Sequence, residues 1–459
     1  MLKKSPDALV IISVVLLLFL GLTWIIPAGE YQRILENGRT IVVAGTYQSV
    51  EPAPQGLGDL LVAPIKGLVA ASHIISFVLL VGGAFSIITA TGALDAGLNS
   101  ILRLAKENPA FKKMVVPVLM VLFSLAGCTF GMSEENLVFI LVTIPLARSM
   151  GYDNIVGIAI PFIGSAAGFA GAAINPFTVG IAQGIAELPI GSGAGYRWIV
   201  WALYTAVAIF FVMRYIRQLE KNPRKSPLFG VQSELSKTVN EDMEFTGPRR
   251  LVIVLFVLAI ILLMYGSNSL GWYIDEISAL FLALGLISAV VTRMGTGKTI
   301  KAFTIGAKDM LMAAIIIGIS RSVLVVAEDG KIIDTLLYAM SGTVADFPNA
   351  VSVQFMFLVQ AFINIFIPSG SGQAAITMPI MTPLADLLGI SRQSAVLAFQ
   401  FGDGLLNLII PTSGVTMGIL SVAKIPYNVW VKWIWKLIVV FTILSMVLLA
   451  VPEYVDVWP

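Results

Sequence analysis

Apolar residues along this chain come in long blocks, and polar residues gather at the seams between them. A block of about 20 apolar residues is long enough to cross a bilayer as a helix. Such blocks fall at 8–27, 74–93, 196–217, 250–266, 276–293, 310–328 and 429–451, and each predicts a spanning helix. Two longer blocks, 152–187 and 391–422, are interrupted, and two more, 114–149 and 350–388, are cut in the middle. The cut in 350–388 is PSGSGQ (368–373), where Ser and Gly leave backbone N–H and C=O groups without helical partners. In hydrocarbon each such group costs several kcal/mol unless protein or a water-filled cavity takes up the bond.

Basic residues orient the blocks, because loops rich in Lys and Arg stay inside. Lys3 and Lys4, the group Arg103, Lys106, Lys112 and Lys113, and the group Arg293, Lys298, Lys301 and Lys308 mark the inner face. So does the loop after Arg214, with Arg217, Lys221, Arg224, Lys225, Arg249 and Arg250. The acidic stretch 328–346 and the C-terminus with Glu453 and Asp456 suit the outside. The N-terminus is then cytoplasmic, and its apolar run is longer than the 7–15 residues of a cleaved signal, so it reads as a retained first helix.

The two halves resemble each other. ENLVFILVTIPLARSMGYDN (135–154) and QAAITMPIMTPLADLLGISR (373–392) align at an offset of 238 residues, matching Pro145 to Pro383, Leu146 to Leu384, Ala147 to Ala385 and Gly151 to Gly389. Further on, Gly164 meets Gly402, and INPFTVGIAQ (174–183) meets IPTSGVTMGI (410–419). The extra span at 250–266 inverts the second copy, and inverted repeats underlie many secondary transporters. The expected organisation is a first repeat at 1–217, a cytoplasmic linker with a connecting helix at 218–269, and a second repeat at 270–459. Blocks 114–149 and 350–388 are read as re-entrant hairpins, the first flanked by Lys113 and Arg148 on the inner face, the alternative being two ordinary spans joined by an exposed loop. The fold class is therefore an all-α polytopic membrane protein, each repeat carrying a re-entrant helical hairpin and a broken transmembrane helix.

Composition agrees: 57% of residues are hydrophobic and 12% charged, against about 25% charged in soluble domains. A net charge of +2 gives no sign of a nucleic-acid partner. One cysteine, Cys128, and one histidine, His73, leave no disulfide, no His- or Cys-rich metal site and no histidine-based hydrolytic triad. No cofactor or metal is expected, and an enzyme is the least supported class. His73 reads as a structural residue near a membrane interface.

The candidate chemistry sits at four irregular stretches: GCTFGMSEEN (127–136), GAAINPFT (171–178), PSGSGQ (368–373) and IIPTSG (409–414). Helix N-termini there offer N–H groups to an anion, while carbonyls and C-terminal ends suit cations. Glu134, Glu135 and Asp403 are ionisable groups within apolar blocks, which makes them functional-site candidates. Their plainer role is to pair with Arg321, the structural ion partner in GISRSV. Three acids against one base leave the expected pocket negative, which suits a cationic ligand, a coupling cation or a proton. Ser133, Asn136, Asn175, Thr178, Ser369, Gly370, Ser371, Gly372, Gln373, Asn407, Thr412 and Ser413 complete the substrate-binding candidates, as hydrogen-bonding side chains or close-approach glycines. Any of the polar ones can instead tie helix to helix.

With GMSEEN, AAINPFTVGIAQ, PSGSGQAAITMPIMTPLAD and FGDGLLNLIIPTSG in view, the chain resembles the YfcC-type branch of the DcuC-like (C4-dicarboxylate anaerobic carrier) family of the ion transporter superfamily. The resemblance implies paired re-entrant hairpins, a dimerising scaffold, and a transport domain that moves like an elevator in the inner membrane. It also implies a basic amino-acid antiporter, notably for arginine and ornithine, with substrate held between the hairpin tips and broken helices. The Ser-Asn-Thr motif of sodium-coupled dicarboxylate relatives is absent, since the tips read MSEEN and SGSGQ. A dicarboxylate carrier with Arg321 as anion partner is the alternative, and a channel is the alternative of a different class.

Overall fold

The computed structural model describes residues 8–36, 39–43, 45–97, 100, 109–229, 244–270, 272, 274–341 and 348–458. Lys3, Lys4, Arg103, Lys106, Asp346 and residues 230–243 of the 218–248 linker lie outside the described residues.

The apolar blocks fold as helices. α1 (Ala8–Ile25) leads into four short strands, β1 (Gly29–Glu30), β2 (Arg33–Glu36), β3 (Arg39–Val42) and β4 (Gln48–Ser49), paired antiparallel as β1 with β4 and β2 with β3. This small cap has no counterpart in the apolar pattern. The Tyr31 N–H and the Arg33 guanidinium both bond the buried Asp334 carboxylate, which anchors the cap. α2 (Leu57–Ala70) and α3 (Ser72–Ala90) follow, separated only by Ala71. α2 is not predicted by hydropathy, because Asp59, Pro64 and Lys66 dilute its 14 residues.

α4 (Pro109–Phe130) and α5 (Asn136–Ser149) form the first hairpin. At about 1.5 Å per residue, α5 is roughly 21 Å long, short of the ~30 Å hydrocarbon core. The two ends of the hairpin lie together: the Lys112 ammonium at the start of α4 lies 5.6 Å from the centre of the Tyr152 ring, just past α5. α6 (Asn154–Ile158), a π-helical turn and α7 (Gly164–Ala170) make one interrupted helix, followed by α8 (Val179–Ile185) and α9 (Ala194–Lys221). α10 (Gly247–Ser269), α11 (Ile274–Val291) and α12 (Thr296–Asp329) come next. α12 is far longer than the 310–328 block, because its first turns carry Lys298, Lys301 and Lys308 and are hidden from a hydropathy reading.

After α13 (Ile333–Ser341), the second hairpin comprises α14 (Asn349–Phe366) and α15 (Gly370–Leu387). Its ends also meet: the Asn349 amide donates to the Gly389 carbonyl at 3.2 Å. α16 (Arg392–Leu406), α17 (Gly414–Ala423) and α18 (Tyr427–Ala450) complete the chain. Arg392 bonds both Asp386 and Glu187, tying the C-terminal end of α15 to the loop after α8. The Arg392 guanidinium holds the Asp386 carboxyl below its ordinary value.

Two bodies result. In one, α12 lies along α2 and α3, with α1 and α11 flanking them. The helices touch backbone to backbone: a Cβ on Gly67 would strike the Gly318 carbonyl, and one on Gly306 the Gly82 carbonyl. Small residues allow such close approach in membrane helices. In the other body, α4 packs on α7, α5 on α6, α14 on α16, and α15 on α8 and α16. Seven helices among the described residues are long and apolar enough to span a membrane.

Candidate functional site

Both hairpin tips and the break between α16 and α17 open on one cavity of about 570 Å³, between the two bodies. Its far wall is the α2–α3 joint, the start of α11 and the middle of α12. Volumes of about 300–1,000 Å³ are typical for small-ligand sites.

The first tip, 131–135, turns at Gly131, whose φ of +72° strains any side chain and which packs against Asn175. Ser133 and Glu134 line the cavity. Glu135 instead folds back, its Oε2 accepting the Ser133 N–H at 3.0 Å. Asn136 is buried, donating to the Ser133 carbonyl and the Ser165 hydroxyl. Pro368 and Ser369 of the second tip line the cavity, and Ser369 caps α15 by accepting from Gly372 N–H. Gly370 and Gly372 form the first turn of α15, and exposed Ser371 is absent from the lining. Gln373, fully buried, clamps the hairpin: its Nε2 donates to the Gln360 carbonyl and its Oε1 accepts from Asn364.

The α16–α17 break shows how this backbone is tolerated. A helix end leaves carbonyls unpaired, and side chains reach three of them. Thr416 bonds the Asn407 carbonyl, Trp430 Nε1 donates to Leu408 at 2.8 Å, and Tyr427 donates to Ile409. Asn407, Thr412 and Ser413 face the cavity, and Ser413 caps α17 by accepting from Thr416 N–H. The matching break at 171–178 is sealed away instead. Asn175 Oδ1 takes the Phe177 N–H, and lone Cys128 accepts from Ala173 N–H at 3.3 Å. Asn175 and Thr178 are buried and absent from the lining.

Arg321 lines the wall, and among the described residues it pairs with none of Glu134, Glu135 and Asp403. Asp403 is fully buried beneath the second tip, accepting from Asn364 at 3.0 Å, outside the cavity. The expected trio of acids is thus reduced to Glu134 inside the chamber. His73 and Asp275 join it near the opening, bonded at 2.8 Å with both side chains exposed, and Glu276 lies beside them. Asp275, Glu276 and Ser320 were not picked out by the residue pattern, and His73 was read there as structural.

The N-caps of α15 and α17, Ser369 and Ser413, line the cavity, and α5 starts two residues past lining Glu134, so these helix ends add partial positive charge to that of Arg321. The chamber is therefore lined by charges of both signs, Arg321 and helix ends together with Glu134, Asp275 and Glu276.

Spanning helices with such a ligand-sized chamber define a multi-pass membrane transporter. The chain belongs to the C4-dicarboxylate anaerobic carrier (DcuC) family, whose profile matches residues 5–453. It is 34% identical over 469 residues to the "Putative basic amino acid antiporter YfcC" of Escherichia coli (strain K12), covering 93% of this chain and 92% of the relative. An uncharacterised protein of Haemophilus influenzae is 29% identical, over 97% of this chain and 96% of its own. Among solved structures, the YdaH transporter of Alcanivorax borkumensis aligns with a TM-score of 0.46 and 17% identity, over 99% of this chain and 100% of its own. MtrF of Neisseria gonorrhoeae aligns at 0.44 and 18%, over 100% and 96%.

Proposed function

We propose that this transporter exchanges basic amino acids, arginine against ornithine, across the inner membrane by alternating access. The observation that carries the reading is one chamber lined by Arg321 and helix N-termini and also by Glu134, Asp275 and Glu276. A basic amino acid has the matching pattern, one carboxylate and two cationic groups. Ser369 and the first turn of α15, with Arg321, would hold the α-carboxylate, and Glu134 the distal cation. The name of the Escherichia coli relative agrees.

The moving part would be the hairpin-bearing body, sliding past α1–α3, α11 and α12 as an elevator, with the scaffold dimerising in lipid. Inverted repeats are supported by matching boundaries: Asn154 and Arg392 start α6 and α16 238 positions apart, and Leu57 and Thr296 start α2 and α12 239 apart. In this reading the N-terminus is cytoplasmic and the C-terminus outside.

Labelled arginine uptake into proteoliposomes tests the exchange. Internal ornithine should stimulate uptake several-fold over empty vesicles. No exchange with either amino acid, but saturable succinate uptake, would overturn it. That second outcome belongs to a dicarboxylate carrier, which Arg321 and the helix N-termini favour taken alone. Flux without counter-substrate would point to a channel.

A further inference from the structure

Asp403 is the most enclosed acid of the site, with 0% exposure. Its Oδ1 accepts from Asn364, but its Oδ2 has no hydrogen-bond partner among the described residues. A buried carboxylate without a countercharge is costly when ionised, and neutralises or takes up a cation instead. Among the described residues no cationic side chain pairs with it. The elements packed around it present neutral groups: Gln360 and Asn364 of α14, Gly370 and Gln373 of α15, Phe169 and Ala170 of α7, Thr178 before α8, and Asn407 on its own strand of chain. Glu134, Arg321 and His73 of the neighbouring chamber, and Glu135 beside its first tip, form no ion pair with it among the described residues.

The position is as telling as the charge. A Cβ on Gly370 would lie 2.8 Å from Asp403 Oδ2, so the second tip is seated directly on the carboxyl. The same Cβ would collide with the Thr178 methyl, and the Thr178 hydroxyl is also without a partner. There is no room beside Oδ2 for a hydrated ion. A proton needs none, and a protonated Oδ2 could donate to Thr178 after rotation about its χ1.

We propose that Asp403 carries the coupling proton of this transporter, holding it on Oδ2 while the second hairpin tip is seated and releasing it to water when the tip lifts. The step is a simple dissociation: the Oδ2–H bond breaks, its electron pair stays on the carboxylate, and the proton goes to water admitted by the lifted tip. Asp403 is then a gate-linked proton site beneath the substrate chamber, and the inference rests on the transporter reading but on no particular substrate.

Infrared difference spectroscopy of the purified full-length protein in lipid reads the proton directly, without transport. At near-neutral pH the wild type should show a protonated-carboxyl band that is missing in Asp403→Asn. Thr178→Val, a near-isosteric change, should move the frequency of that band. In vesicles with a trapped pH indicator, arginine added to the wild type should move protons, and Asp403→Asn should abolish the signal. A spectrum without an Asp403-dependent band, or a band unmoved in Thr178→Val, overturns the proton site even if exchange is confirmed. Stimulation by Na⁺ with no proton movement would overturn it too, and assign the carboxylate to a metal cation. If arginine is not a substrate, the infrared arms still decide the proton site.

Discussion

Arg321→Gln should lower substrate uptake by roughly 100-fold while leaving a folded, monodisperse protein. Removing one partner of a desolvated hydrogen-bonded charge pair costs about 3 kcal/mol, near two decades. Arg321 faces the chamber, is only partly buried and forms no salt bridge among the described residues, so its loss removes no close partner and only weakens the attraction on Glu328 of the same helix. Arg321→Lys should recover part of the activity, because an ammonium keeps the charge and loses the bidentate fork. Glu134→Gln discriminates between substrates. For a basic amino acid it removes the partner of the distal cation and should lower uptake by a similar factor. For a dicarboxylate it removes a repulsive charge and should raise uptake. Glu135→Gln is the internal comparison, since Glu135 bonds its own tip through Ser133 N–H. Its effect should be smaller than that of Glu134→Gln, and equal effects would mean that both acids reach the substrate. Uptake by reconstituted protein, normalised to the folded fraction, checks all four variants.

Much of this arrangement was legible in the residue order, for reasons tied to the solvent. Hydrocarbon forbids unpaired backbone, so breaks such as PSGSGQ and IIPTSG had to sit where something satisfies them. They do: Ser369 and Ser413 cap the helices that follow, and Trp430 and Tyr427 take carbonyls left behind. The helix pairs on either side of GCTFGMSEEN and PSGSGQ were legible from the breaks, and their ends meet, through Lys112 with Tyr152 and Asn349 with Gly389. Which residues face the chamber was not legible. Neighbouring Glu134 and Glu135 differ by a rotation of one residue at a tip, and only one reaches the cavity. The far wall was missed because Ala70, Ala71, Ser320 and Ile317 are ordinary helix residues, significant only through packing between elements hundreds of positions apart. α2 was missed because its length and polar residues fall below a spanning signal.

Gly168→Leu should abolish recovery of folded protein, and Gly168→Ala should destabilise it by about 3 kcal/mol, the upper range for overpacking. Gly168 lies in α7 where α4 crosses it, and a Cβ there would run into the Ser124 carbonyl. The contact is reciprocal, since a Cβ on Gly127 of α4 would strike the Ser165 carbonyl. The obstacles are backbone atoms, so no rotamer change relieves them and the two helices must separate. The Ser124–Thr205 hydroxyl bond, 2.6 Å long and buried, would be strained as well. Because α4 carries the first hairpin tip to the chamber, the alanine variant should lose transport out of proportion to its stability. Gly184→Ala provides the contrast: no atom lies within 4 Å of a Cβ there, and the residue is within α8. It should be neutral or stabilise by up to about 1 kcal/mol through helix propensity. Thermal unfolding in detergent, with size-exclusion profiles, measures both. A stable, active Gly168→Leu would show that α4 and α7 do not pack backbone to backbone, and the first tip would lose its placement with them.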